Sequence, residues 1–297
     1  MIDVLNTVIV SFEGLLRYAM REVKRCTVGG YPIEHSLSPY LFALVHEHLG
    51  LQYFSLGKIA SEYIDEVINC NEVSKPSEKF KETVREITQS IKGEFFGCRE
   101  IPEIKVITKD FDFNGIIKWG SITSPLKHQF GENTLNCYTI DERGLRYSMT
   151  DGYAVILVAE HFGLNFNSKP VLCLKGGGST AIATAEAWLS KGGKIKAVNG
   201  RRSLPEYLLT RCNSELEPNL FLDFDSSSDS DYLTLTPKYN SKVNAFKNNI
   251  DGRWMLIAQH LLAWAILFSP ENAEKLPSID LLFKRLISLE SSGISMF

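Results

Sequence analysis

The sequence has few cysteines, and they are not paired. The six cysteines and six histidines include no Cys-x-x-Cys pair and no ligand-spaced cluster, and structural zinc sites depend on such close spacing. The pattern excludes a zinc-finger type of site and predicts no metal. It indicates reduced thiols in a cytosolic protein.

The sequence also lacks a strong net charge and a long hydrophobic run. A formal net charge of −3 at pH 7 gives no electrostatic footprint for nucleic acid or an anionic membrane. The most apolar stretch, Trp254–Phe268, is interrupted by Gln259 and His260 and is too short to span a bilayer. The N-terminus has Asp3 ahead of its apolar stretch and shows no basic leader, so we expect no secretory signal. These features predict a soluble cytoplasmic protein with neither a membrane nor a nucleic-acid partner.

The first half of the chain alternates short strands and helices. Cys26–Gly30 is typical of a strand, and Ser38 is placed to cap a helix that has Pro39 in its first turn and stops at Gly50. Residues 1–26 combine helical apolar spacing with a basic end, which favours a surface helix or an extension. With 297 residues, 44% of them hydrophobic, the chain can form one large domain or two moderate ones.

A lysine- and glutamate-rich segment covers residues 70–112. Four apolar residues in it are spaced as one face of a helix that Gly93 could end: Phe80, Val84, Ile87 and Ile91. We expect an inserted, solvated helix here, followed by a strand from Ile104 to Thr108.

A glycine run lies between a predicted strand and a predicted helix in the second half. The strand begins at Val171, the glycines are Gly176, Gly177 and Gly178, and the helix covers residues 180–189. Such a run lets the backbone approach a pyrophosphate, whose charge is favoured by the unpaired N–H groups of the helix. A simple glycine loop is the alternative, but the order of strand, glycines, helix and second strand favours a dinucleotide site.

The second strand, residues 194–199, ends without the acidic residue that usually binds the ribose of NAD. Asn199 is followed instead by Gly200, Arg201 and Arg202, and guanidinium groups bind phosphate well. The pattern favours NADP(H), with ordinary solvated arginines as the alternative.

Seven motifs occur in the order seen in shikimate dehydrogenases, and the chain resembles that family. They are His35 to Pro39, Ser121 to Lys127, Asn133-Thr134, Thr150 to Gly152, the glycine run, Asn199 to Arg202, and Asp251 to Gln259. The resemblance implies an α/β fold with an N-terminal substrate-binding domain, residues 1–153, completed by C-terminal helices that return to it, residues 252–297. Residues 154–251 would form a Rossmann-like NADP-binding domain, shortened after Pro237.

The resemblance also assigns roles. Lys127 and Asp151 correspond to the catalytic pair. The implied substrate contacts are Ser36 and Ser38 for the carboxylate, and Thr123, Asn133 and Gln259 for the hydroxyl groups. The implied cofactor contacts are Gly176, Gly177, Gly178, Ser179, Asn199, Arg201 and Arg202. Tyr239 is a further candidate near the carboxylate, and Lys175 replaces the first loop glycine, so that it either alters the turn or meets phosphate.

The function implied is NADPH-dependent reduction of 3-dehydroshikimate to shikimate in aromatic amino-acid biosynthesis, by a monomer or homodimer. Two alternatives stay open: a shikimate-binding protein with weakened catalysis, and an enzyme that also accepts quinate. Only residues 128–132 separate Lys127 from Asn133, and little sequence lies between Pro237 and Asp251. A complete parallel sheet in the second domain would favour the enzyme, and a truncated one the binding protein.

Overall fold

The computed structural model describes residues 24–51, 55–71, 73–96, 101–130, 133–213, 215–224, 232–239 and 248–297. The helical pattern predicted near the N-terminus lies almost wholly outside these residues. Within them, no helix is long and apolar enough to cross a membrane.

The first sheet is mixed and has six strands in the order β2-β1-β4-β5-β6-β3. Strand β1 is parallel to β2 and β4, and the remaining pairs are antiparallel. Its elements are β1 (Lys24–Gly30), α1 (Ser38–Leu49), β2 (Ser55–Ala60), α2 (Ile64–Asn69), α3 (Glu78–Ser90), β3 (Val106–Lys109), β4 (Ile117–Ile122), β5 (Cys137–Asp141) and β6 (Gly144–Ser148).

The second sheet is entirely parallel, with five described strands in the order β11-β10-β9-β7-β8. The elements of this half are α4 (Asp151–His161), β7 (Val171–Lys175), α5 (Ser179–Ser190), β8 (Lys194–Val198), α6 (Glu206–Leu209), β9 (Leu220–Asp223), β10 (Thr234–Thr236) and β11 (Asn249–Asp251). The strand order reverses between β7 and β9, and ligands of doubly wound sheets bind at such a switch point.

The C-terminal segment returns to the first sheet. Helix α7 (Gly252–Ala263) packs on α4, and a π-helical turn, Trp264–Phe268, continues it. Helix α8 (Ile279–Ser291) then packs on α1 and α3. The fully buried Trp264 ring lies 5.2 Å from Trp119 of β4, measured between centroids. The predicted α/β fold with two sheets and returning helices is therefore confirmed.

Two local predictions need correction. Helix α1 has Leu37 as its N-cap without a side-chain cap, and Ser38 is the first helical residue. The Ser36 hydroxyl instead accepts a hydrogen bond from the Ser38 N–H, at 3.4 Å. The expectation of a solvated helix holds only for the polar face of α3, because α1 and α8 cover its apolar face and leave Phe80 and Val84 fully buried.

Helices α4 and α5 approach closely where the two halves of the chain meet. At Gly152, an added Cβ would lie 2.2 Å from the carbonyl oxygen of Ala183. Glycine at this position therefore permits the contact, and it brings the N-termini of both helices to the edge where β1 and β4 end.

Candidate active site

Lys127 and Asp151 form a direct ion pair. Lys127 lies in the 3-10 turn Leu126–His128 that follows β4, and Asp151 is the first residue of α4. The ammonium Nζ donates a hydrogen bond to Oδ2 of the carboxylate. The side chain of Asp151 is fully buried, whereas that of Lys127 is 13% exposed. The lysine therefore faces the accessible side of the pair.

Each oxygen of Asp151 has a partner besides the lysine. Oδ1 accepts a hydrogen bond of 2.7 Å from the Asn136 amide, and Oδ2 accepts one of 2.6 Å from the Thr180 hydroxyl. The carboxylate also lies at the N-terminus of α4, where a helix favours negative charge. These contacts compensate a buried charge that would otherwise be costly.

Asn136 is itself fixed by the residue before Asp151. Its Oδ1 accepts the Thr150 backbone N–H at 2.8 Å, and its Nδ2 donates to the Thr150 hydroxyl at 2.9 Å. The Thr150 hydroxyl donates in turn to the Gln259 carbonyl at 3.1 Å. The network thus joins β5, α4 and the returning helix α7.

A cavity of about 410 Å³ opens above the ion pair. It brings together the predicted catalytic pair, Lys127 and Asp151, and most of the predicted substrate residues, namely Ser36, Ser38, Thr123 and Gln259, together with Tyr239. Residues of the second half complete it, namely Thr180, Phe224, Pro237, Lys238, Gly252, Met255 and Leu256. The cavity therefore lies between the two sheets.

Asn133 does not lie in this cavity. It is exposed and lines a separate depression with Thr134, Met149 and Tyr153. Asn136, which the sequence analysis missed, contacts the ion pair instead. The sequence carried one signal against Asn133, namely the short interval between it and Lys127. An asparagine at position 136 leaves a longer interval, and the chain needs that length to turn from β4 into β5.

The predicted cofactor loop lies at the carboxyl ends of β7 and β8. Gly176 has a φ of +121°, a conformation that favours glycine. Gly177 packs so closely that an added Cβ would lie 2.1 Å from the Ser203 oxygen. Nothing lies within 4 Å of a Cβ built on Gly178, the N-cap of α5. The backbone at the start of this helix is therefore open to a ligand.

The charged residues around this loop differ in their surroundings. Lys175 forms an ion pair with the buried Asp223 at 3.1 Å, so this lysine neutralises a carboxylate at the end of β9. Arg201 and Arg202 are exposed and follow β8. Asn199 lies directly after the same strand. The three residues are placed at the edge of the sheet beside the glycine run.

Three titratable groups border the site in their neutral forms. Burial lowers the pKa of His260 to about 3, so the imidazole is uncharged. Burial, and to a lesser degree the charge of Asp151, raises the pKa of the Cys137 thiol. Burial also raises the pKa of Tyr239, which keeps its hydroxyl protonated at neutral pH. Neither His260 nor Cys137 can replace Lys127 as a cationic proton donor.

No protein-family model and no curated protein matches the chain, but solved structures do. Shikimate 5-dehydrogenase from Thermus thermophilus in complex with shikimate aligns with a TM-score of 0.59 and 18% identity, over 91% of this chain and 99% of that one. Its complex with NADP(H) and shikimate gives 0.56 and 18%, over 89% and 99%. Shikimate 5-dehydrogenase from Listeria monocytogenes in complex with shikimate and NAD gives 0.54 and 15%, over 89% and 96%.

These alignments cover nearly the whole of each chain. The chain thus has the two-domain fold of the shikimate dehydrogenases, and the resemblance drawn from the motifs is confirmed at the level of the fold. At these identities the likeness concerns the fold alone.

The different surroundings of Asn136 and Asn133 predict a difference in stability between their alanine variants. Asn136→Ala removes the partner of a buried carboxylate oxygen and should lower the free energy of unfolding by about 1–3 kcal/mol. The matched Asn133→Ala variant alters an exposed side chain and should stay close to the parent. Urea denaturation followed by circular dichroism measures both. Equal stability of the two variants would contradict the network around Asp151.

Proposed function

We propose that this protein is an NADP-dependent oxidoreductase that interconverts 3-dehydroshikimate and shikimate. The observation that carries the proposal is the Lys127–Asp151 pair at a cavity shared by both sheets. The fold shared with shikimate dehydrogenases supports it, as do the three solved complexes in which those proteins hold shikimate or a nicotinamide dinucleotide.

The cavity offers a polar set of groups that suits a small hydroxylated acid. Ser36 and Ser38 are nearly buried at the start of α1, where their hydroxyls and the helix N-terminus favour a carboxylate. Tyr239 adds a protonated hydroxyl to the same cavity. Thr123 and Gln259 line it as well, and these side chains can bind the substrate hydroxyls.

Lys127 is the proposed proton donor. Reduction of a ketone develops negative charge on its oxygen, so a nearby ammonium both stabilises the charge and supplies the proton. Asp151 orients that ammonium through the direct ion pair. In the reverse direction the neutral lysine would accept the proton of the substrate hydroxyl.

The loop after β7 fits a dinucleotide. The open backbone at Gly178 and the start of α5 would hold the pyrophosphate, with Gly176, Gly177 and Ser179 shaping the turn. Asn199, Arg201 and Arg202 would hold the 2′-phosphate of NADP(H). The bound cofactor would supply the hydride.

The described part of the parallel sheet is shortened, which by itself favours a binding protein, but the position of the shortening supports the enzyme. In the common dinucleotide-binding order, the third strand lies outside the second, and no described strand lies outside β8. Strands β10 and β11, each three residues long, are present beyond β9. Among the described strands, the one missing from the common order would thus lie outside β8. The crevice between β7 and β9 has strands on both of its sides.

Replacing the proposed proton donor tests the function directly. Lys127→Ala should lower kcat for 3-dehydroshikimate reduction by about two to four orders of magnitude, because the lost interaction develops in the transition state. The KM for the substrate should change much less. Steady-state kinetics give both values, with the exposed neighbour His128→Ala as the control. Unchanged turnover in the lysine variant would remove Lys127 from the mechanism.

The proposed phosphate contacts predict the choice of cofactor. Arg201→Ala/Arg202→Ala should weaken NADPH binding by about tenfold or more, because each charge-assisted contact contributes about 1.5–3 kcal/mol. NADH lacks the 2′-phosphate, so its affinity should change little. Calorimetric titration of both cofactors checks this, and Arg211→Ala serves as an exposed control. Equal losses for NADPH and NADH would place these arginines elsewhere.

A further inference from the structure

The hydroxyl of Thr180 is bonded to both members of the ion pair. It donates to Asp151 Oδ2 at 2.6 Å and accepts from Lys127 Nζ at 3.1 Å. A hydroxyl has one hydrogen to donate and two lone pairs to accept with. Its only hydrogen is thus used on the carboxylate, and one lone pair receives the ammonium. The three groups form a closed triangle at the cavity wall.

Thr180 reaches this triangle from the proposed cofactor side. It is the second residue of α5, separated from the glycine run only by Ser179, whereas Lys127 follows a strand of the first sheet. Its backbone is held within the helix, since the Thr184 hydroxyl donates to the Thr180 carbonyl at 2.7 Å. The loop proposed to bind pyrophosphate and the proposed proton donor are therefore joined through one side chain.

We propose that Thr180 is a positioning residue that orients the Lys127 ammonium toward the substrate oxygen; this inference rests on the proposed function. An ammonium has three N–H donors. Asp151 and Thr180 take two of them, and no other described residue has a hydrogen bond from Nζ. Because the ammonium is tetrahedral, the two bonds fix the direction of the third donor, which serves the ketone.

The same geometry distinguishes this role from simple charge compensation. Asp151 alone would balance the charge of Lys127, but lysine has a long side chain with many rotamers. A second fixed acceptor restricts it to one arrangement. Loss of the Thr180 hydroxyl should therefore reduce the fraction of bound complexes that are ready to react, and leave binding itself intact.

Three variants test the assignment. Thr180→Val removes the hydroxyl at nearly constant volume and should lower kcat by about tenfold to a hundredfold, the equivalent of one hydrogen bond to a charged group. The KM for 3-dehydroshikimate and the Kd for NADPH should stay within about twofold of the parent. Thr180→Ser keeps the hydroxyl and should recover kcat to within about threefold. Ser190→Ala removes an exposed hydroxyl at the far end of the same helix and should leave kcat near the parent value.

Several results would overturn the inference. These are an unchanged kcat in Thr180→Val, a loss that appears mainly in KM or in NADPH affinity, no recovery in Thr180→Ser, or an equal loss of kcat in Ser190→Ala. Thr180→Ala provides a second deletion of the hydroxyl if the valine variant does not fold. If the parent itself does not turn over 3-dehydroshikimate, the proposed function fails, and that outcome is separate from a failure of the Thr180 role.

A second measurement needs neither substrate nor cofactor. Acetylation of Lys127 by acetic anhydride, followed by mass spectrometry and referred to Lys169, reports how firmly the ammonium is held. Lys127 should be acetylated about threefold or more faster in Thr180→Val than in the parent, because one of the two hydrogen-bond acceptors of its ammonium is gone. In Thr180→Ser the acetylation rate should match that of the parent. Equal rates in all three proteins would contradict the triangle.

Discussion

A fully buried carboxylate at Asp151 is the constraint on which the arrangement of the site depends. An isolated buried charge is strongly disfavoured, so the surrounding chain must supply a cation and hydrogen-bond donors. Lys127, Asn136 and Thr180 do so from three different segments. Asn136 bonds Oδ1, and Lys127 and Thr180 both bond Oδ2, so the carboxylate holds three segments together at this point.

The fold gives these segments their positions. The carboxyl ends of the parallel strands β1 and β4 deliver the residues that follow them to one edge of the first sheet. The close contact at Gly152 places α5, and with it the glycine run, beside the start of α4. The returning helix α7 then closes the cavity with Met255, Leu256 and Gln259. The polar cavity with its ion pair thus lies between the two sheets. The first sheet contributes Lys127 through the turn after β4, and the second contributes the glycine run that follows β7.

The sequence predicted the fold class, the strand-glycine-helix order and the pairing of Lys127 with Asp151, because each rests on local pattern or on a compact motif. The sequence predicted Asn133, which the structure replaces with Asn136, because the Asn-Thr motif lies at positions 133 and 134 although few residues separate it from Lys127. The capping role expected of Ser38 failed because Leu37 precedes the helix as its N-cap. Thr180 could not be found in this way. Its contacts join segments that are far apart in the chain, and only tertiary packing brings them together.

The proposed chemistry is tested most directly by following NADPH absorbance in the presence of the purified protein and 3-dehydroshikimate, with the formation of shikimate measured in the same samples. The account predicts that NADPH is consumed in proportion to the shikimate formed, that NADH is used less well, and that shikimate with NADP+ runs the reaction in reverse. If the protein binds shikimate in a calorimeter but consumes no NADPH with 3-dehydroshikimate, it is a binding protein and the catalytic assignment of Lys127 and Asp151 is wrong.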